Sequence, residues 1–144
     1  ALPNCFRLRE PAAVIASYAA VRKDATLEDI GFNQQAELFE QVRAMCGEVP
    51  MVIDSREFLL DPESMLQAIC AKLDIDFVPE MLSWPIGSGD SDGVWAKYWY
   101  DSVCNSTGFA PYHEKDYSLS NKDREIALRA RPYYENLYQY RLQP

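Results

Sequence analysis

The chain of 144 residues is 48% hydrophobic, the size and apolar share of a single domain over 1–144 with a core of its own. Its 14 Lys and Arg stand against 22 Asp and Glu, and the net charge of -8 argues against nucleic acid or an anionic membrane surface as the main partner. No apolar run approaches the roughly 18 to 20 residues needed to cross a bilayer, and no charged-then-apolar leader opens the chain, so the sequence reads as a soluble, cytoplasmic protein.

Cys5-Phe6-Arg7-Leu8 reads as a short strand, and the chain is already entering it four residues after Ala1, as expected of a truncated domain. Pro11 suits the first turn of a helix over Ala12 to Arg22, with Val14, Ile15, Tyr18 and Ala19 on one face. The charged stretch Arg22 to Asp29 is expected to be a loop or short turn. Phe32, Ala36, Phe39, Val42 and Cys46 then recur at helical spacing, and Gly47 closes that helix. Pro50 to Ile53 is a second short strand ending at Asp54. Asp61-Pro62 supplies an N-cap and a first-turn proline to a helix whose buried side carries Met65, Leu66, Ile69, Cys70 and Leu73. A short helix is expected within Val78 to Trp84, and Gly87 to Gly93 has the composition of a loop. Trp95, Tyr98 and Trp99 suggest an amphipathic helix over Val94 to Cys104. Ser120 with Asp123 resembles a capping box, opening a last helix lined by Ile126, Ala130, Tyr133 and Leu137, which Pro132 should kink or divide.

Four cysteines, Cys5, Cys46, Cys70 and Cys104, form no C-x-x-C pair, and Cys46 and Cys70 fall on apolar helical faces where a buried thiol is expected. With His113 the sole histidine, neither a disulfide framework nor a metal site is expected. The order strand, helix, helix, strand, helix predicts an α/β fold in which a right-handed crossover joins two parallel strands, with a helix-rich C-terminal portion. Two parallel strands make too small a sheet, so further strands are expected from a missing N-terminal segment or a partner chain.

Arg9 stands where the first strand ends, and Ser17 lies eight residues on in the following helix. Ligands of open α/β sheets bind beyond the carboxyl ends of the strands, near helix N-termini. A guanidinium fork, a hydroxyl and helix amides at that edge make an anion site.

The segment Phe6 to Tyr18 resembles the 3′-phosphate-binding motif of sulfotransferases: a strand, an arginine, and a serine eight positions later. Val52 to Leu73 resembles that family's later strand, Asp-Pro turn and helix. The likeness is nearer to bacterial sulfotransferase-like proteins than to steroid or carbohydrate enzymes. It implies a parallel sheet with flanking helices of the P-loop nucleotide-binding type. It also implies that Arg9 and Ser17 bind the 3′-phosphate of the donor, 3′-phosphoadenosine 5′-phosphosulfate. Gly93-Val94-Trp95-Ala96-Lys97 is similar to the family's Gly-Asp-Trp-Lys element, which implies a place for Lys97 at the donor phosphate, although Ser88, Gly89, Asp90 and Asp92 replace the basic residues upstream of it. Ser55 stands where many members carry a tyrosine that meets the adenine. The loop that cradles the 5′-phosphosulfate and the base that activates the acceptor lie upstream of the motif in the family, so the segment alone is expected to be inactive.

The implied reaction moves a sulfuryl group to a hydroxyl or amine of a small-molecule acceptor. A kinase-like member of the same nucleotide-binding superfamily and a non-catalytic module that keeps the fold are the rival readings. An arginine at a strand end, taken alone, is more often a structural ion-pair partner, here of Glu10 or a downstream carboxylate; Ser17 and the later matches tip the balance. Trp95 and Trp99 are expected in the core, His113 at the surface, and Tyr133, Tyr134, Tyr138 and Tyr140 in a packing stripe with wet hydroxyl tips.

Overall fold

A computed structural model describes residues 3–22, 24–87, 93 and 101–144. Lys97, Trp95, Tyr98, Trp99 and most of the expected loop before them lie outside the described residues. The chain divides into two compact units, Ala1–Phe58 with His113–Gln143, and Leu59–Tyr112 with Pro144. Among the described residues no helix is long and apolar enough to cross a membrane.

The first unit is mixed α/β. Strand β1 (Cys5–Leu8) alternates exposed Cys5 and Arg7 with buried Phe6 and Leu8, the two-residue period of a strand with one face on a core. Its partner β2 (Met51–Asp54) runs parallel, pairing Cys5 with Met51 and Leu8 with Asp54 at the two ends. Between them lie α1 (Pro11–Ala19), α2 (Leu27–Ile30) and α3 (Phe32–Cys46). The expected strand-to-strand crossover is therefore present, and the two strands are parallel.

Helix α3 forms where Phe32, Ala36 and Phe39 recur at helical spacing and are all buried, and it ends at Gly47, whose φ of 72° is the left-handed value glycine adopts most freely. Phe39 is fully buried. It meets Phe6 edge-on with ring centroids 5.3 Å apart and Tyr140 at 5.2 Å. Phe6, Leu8, Ala36, Phe39, Val52 and Leu137 form one apolar cluster. A second joins Ile15, Ala25, Leu27, Phe32, Ile126 and Ala130, tying α1, α2 and α3 to the last helix.

That last helix is α7 (Asn121–Tyr138), after α4 (Ser55–Leu60), α5 (Pro62–Leu73) and α6 (Asp101–Cys104). Ser120 caps it, its hydroxyl accepting from Asp123 N at 3.1 Å. Of the expected kink or division at Pro132, the division does not occur, since α7 runs through it without a break. Proline removes the donor that would bond the carbonyl of Leu128, and that residue is exposed, so water can serve the carbonyl instead. Beyond α7 the chain doubles back: Arg141 bridges Val52 in parallel, and Leu142 N donates to Val52 O at 2.7 Å, covering the outer edge of β2.

Three further expectations shift. Helix α1 stops at Ala19 rather than Arg22, because Val21 N and Arg22 N both turn back to Tyr18 O, at 3.0 and 2.8 Å. Within the stretch expected as loop, α2 is nucleated by a capping box, Thr26 accepting from Asp29 N while Asp29 accepts from Thr26 N. Cys46 is exposed rather than buried, whereas Cys70 is buried as expected.

In the second unit Asp61 caps α5 by accepting from Ser64 N at 3.1 Å, with Pro62 in the first turn. Met65 and Cys70 are its buried residues. The helix expected within Val78 to Trp84 is a 3-10 turn over Pro79–Leu82. Trp84 donates to Ser106 Oγ at 3.1 Å and packs edge-on against Phe109.

Candidate functional site

Arg9 follows β1 directly, at the carboxyl end of the strand where the backbone turns into α1. It is exposed. Glu10, its obvious partner, is committed elsewhere: Glu10 Oε2 accepts from Ala13 N at 3.0 Å, capping α1, and Oε1 lies 3.6 Å from the guanidinium of Arg131. The ion pair that would make Arg9 structural is therefore not formed with Glu10. The same capping bond alters the expected anion site, because the Glu10 carboxylate already occupies the amide end of α1.

Arg9 lines a cleft of about 330 Å³ together with Arg7, Val14, Ile30, Gly31, Phe32 and Gln35. The α2–α3 corner forms one wall. There Gly31, with φ of 71°, ends α2 and begins α3, a backbone turn that strains any residue with a Cβ. Ser17 is exposed on α1 and is not among the residues lining this cleft. The structure thus places Arg9 and Ser17 on consecutive elements but brings only Arg9 into the concavity.

Arg7 was not singled out by sequence, although it sits two residues from Arg9 and alternation puts every second strand residue on one face. Its Nε donates to Ser55 Oγ at 3.0 Å, and that hydroxyl donates to Leu8 O at 2.7 Å. Gln35 Nε2 donates to Arg7 O at 2.9 Å. Ser55 and Gln35 therefore fix the last carbonyls of β1 just ahead of Arg9.

At the end of β2, Asp54 is a buried carboxylate with 1% exposure. Its Oδ1 accepts from Arg56 N and Glu57 N at 2.9 and 3.1 Å, and its Oδ2 accepts from the Tyr134 hydroxyl at 2.9 Å. Tyr138 donates to Glu57 Oε1 at 2.8 Å and stacks on Tyr134, with Arg141 lying 4.0 Å over its ring. Burial first, and then the Asp54 charge, pushes the Tyr134 phenol far above the ordinary range; burial and the bond to Glu57 raise Tyr138. The expected wet tips of the tyrosine stripe are corrected at these two positions. Asp54 is satisfied by protein groups on both oxygens, the state of a structural anchor.

The profile of the sulfotransferase domain matches residues 4–140, nearly the whole chain. The chain belongs to the sulfotransferase domain family. The family is one of sulfuryl transferases, and the mixed α/β unit built on parallel β1 and β2 is compatible with its fold. Two curated proteins of Arabidopsis thaliana are similar to this sulfotransferase domain. Branched-chain-amino-acid aminotransferase-like protein 1 is 35% identical over 132 residues, 90% of this chain and 23% of that protein. Branched-chain-amino-acid aminotransferase-like protein 2 is 31% identical over 103 residues, 72% of this chain and 18% of that protein. The domain thus spans less than a quarter of the length of these relatives. No solved structure matches it.

Proposed function

We propose that this domain binds 3′-phosphoadenosine 5′-phosphosulfate and serves sulfuryl transfer to a hydroxyl or amine of a small-molecule acceptor, with Arg9 holding the donor's 3′-phosphate. The observation that carries the reading is the state of Arg9. In a chain with 22 acidic residues, a guanidinium at the carboxyl end of a strand has no ion pair among the described residues and faces a cleft. A charge kept free in that position suits a ligand of opposite sign.

Ser17 adds a hydroxyl donor from α1, free of any bond among the described residues, and the likeness of residues 93–97 to the family's Gly-Asp-Trp-Lys element assigns Lys97 to a donor phosphate. The transfer is an in-line displacement. The acceptor oxygen or nitrogen bonds to sulfur as the bond from sulfur to the 5′-phosphate oxygen breaks, leaving 3′,5′-bisphosphoadenosine and the proton released by the acceptor. Catalysis of this kind rests on positioning and charge stabilisation. The loop for the 5′-phosphosulfate, the base for the acceptor and the strands that extend the sheet beyond β1 come from outside these 144 residues, in a P-loop-type arrangement and a cytoplasmic setting. The aminotransferase-like names of the two relatives describe proteins of which most lies beyond the matched stretch, so they direct no amino-group chemistry to this domain.

Ligand choice tests the proposal. 3′,5′-Bisphosphoadenosine is expected to raise the melting temperature of the protein, and ATP with magnesium to raise it less. Stabilisation by ATP and magnesium alone would instead assign the domain to a kinase-like member of the superfamily, and stabilisation by neither to a non-catalytic module. A full response in Arg9→Ala would remove the proposed role of Arg9.

A further inference from the structure

The cleft at the end of β1 holds a second cation that the motif does not include. Arg7 and Arg9 line it together with the apolar residues Val14, Ile30 and Phe32. Arg7 is anchored through one nitrogen only, the Nε bond to Ser55, and its two terminal nitrogens have no carboxylate within reach among the described residues. The nearby acids are spent: Glu10 on Ala13 N and Arg131, Asp54 on Tyr134 and two amides, Glu57 on Tyr138 and Arg56.

Two guanidiniums in one concavity repel each other. In an acidic chain their juxtaposition, with no bridging carboxylate among the described residues, calls for an anion able to accept from both. Arg9 lies one residue past the end of β1, two residues from Arg7, so their Cα atoms are at most about 7 Å apart, a span that two long side chains can close onto a single tetrahedral group. A phosphate dianion offers three acceptor oxygens, enough for two forks. The volume of about 330 Å³ is at the small end for a small-molecule site, room for a phosphate monoester with part of its organic body on the apolar wall. Ser55 gives the arrangement its rigidity, since one hydroxyl both accepts from Arg7 Nε and donates to Leu8 O.

We propose that Arg7 is a second binding residue for the ribose 3′-phosphate, so that the phosphate is clamped between Arg7 and Arg9 in the cleft walled by the α2–α3 corner. This inference rests on the reading of Arg9 as a 3′-phosphate ligand. It makes Arg7, rather than Ser17, the stronger partner of Arg9, and makes Ser55 a positioning residue that acts through Arg7.

The test is calorimetric titration of the full chain with 3′,5′-bisphosphoadenosine and with 5′-AMP, which lacks the 3′-phosphate. Arg7→Ala is expected to weaken bisphosphoadenosine by about tenfold or more, as removal of one charged hydrogen-bonding group does, and to leave 5′-AMP within about twofold. Arg7→Gln, which keeps a donor for Ser55 but removes the charge, should show the same selective loss and guards against an Arg7→Ala chain that does not fold. Ser55→Ala should weaken bisphosphoadenosine by less than either. An Arg7 variant within about twofold of wild type, beside an Arg9→Ala variant that binds poorly, would overturn the clamp and leave the role of Arg9 standing. Equal losses for both nucleotides would also overturn it, by putting Arg7 at the 5′-phosphate. Full binding by both Arg7→Ala and Arg9→Ala would sink the clamp together with the functional reading beneath it.

Discussion

Removing the hydroxyl of Tyr134 isolates the bond that ties α7 to the end of β2. In Tyr134→Phe the ring keeps its stacking on Tyr138 at 5.3 Å and its packing on both apolar clusters, so no cavity opens. What is lost is the 2.9 Å donation to Asp54 Oδ2, leaving that oxygen without a protein partner in a side chain only 1% exposed. Hydrogen bonds to charged groups contribute about 1.5–3 kcal/mol, and the cost of an abandoned buried acceptor is of the same order. At about 2–4 °C per kcal/mol for chains near this length, the melting temperature should fall by about 3–12 °C. Urea denaturation should show a lower midpoint with an unchanged slope. Repeating the change in an Asp54→Ala background should cost little, since the acceptor is then gone. A loss below about 0.5 kcal/mol in the wild-type background would refute the view that this bond holds the end of β2.

The same phenols set an alkaline limit. Their folded-state values lie above those of the unfolded chain, so their contribution to stability is complete below about pH 10 and falls as pH rises beyond it. Tyr134→Phe should flatten the decline in a urea titration series between about pH 9 and 11. Gly31→Ala should cost about 1–2 kcal/mol, because the added Cβ meets nothing within 4 Å but φ of 71° is unfavourable for an L side chain. Gly31→Asn should cost less in the same denaturation assay, asparagine being the better tolerated of the two in that region.

What sequence could show here was decided by range. Both strands and α3 were legible, because Phe6 and Leu8, Met51 and Val52, and Phe32, Ala36 and Phe39 carry their periods within a few residues and their ends are marked by Pro11, Gly47 and Asp54. A four-residue helix such as α2 holds too few turns to show a period, and only the Thr26–Asp29 pair announced it. The bond between Tyr134 and Asp54 joins residues 80 apart, and nothing local to either signals it. At the site, the position of Arg9 at a strand end could be read directly. Its freedom from Glu10 could not, because that depends on Arg131, far along α7, and on the capping of Ala13. Arg7 looked like any exposed strand residue until α2 and α3 folded to line a cleft with it.

The central claim is that the Arg9 guanidinium holds the 3′-phosphate of the donor, and phosphorus NMR addresses it directly because the two phosphates of 3′,5′-bisphosphoadenosine give separate resonances. Added to the full chain, the nucleotide should show a large change in its 3′-phosphorus signal, and Arg9→Ala should abolish that change at the same concentrations. A 3′-phosphorus signal that responds identically in wild type and Arg9→Ala, or one that stays at its free position while the 5′ signal moves, would contradict the account.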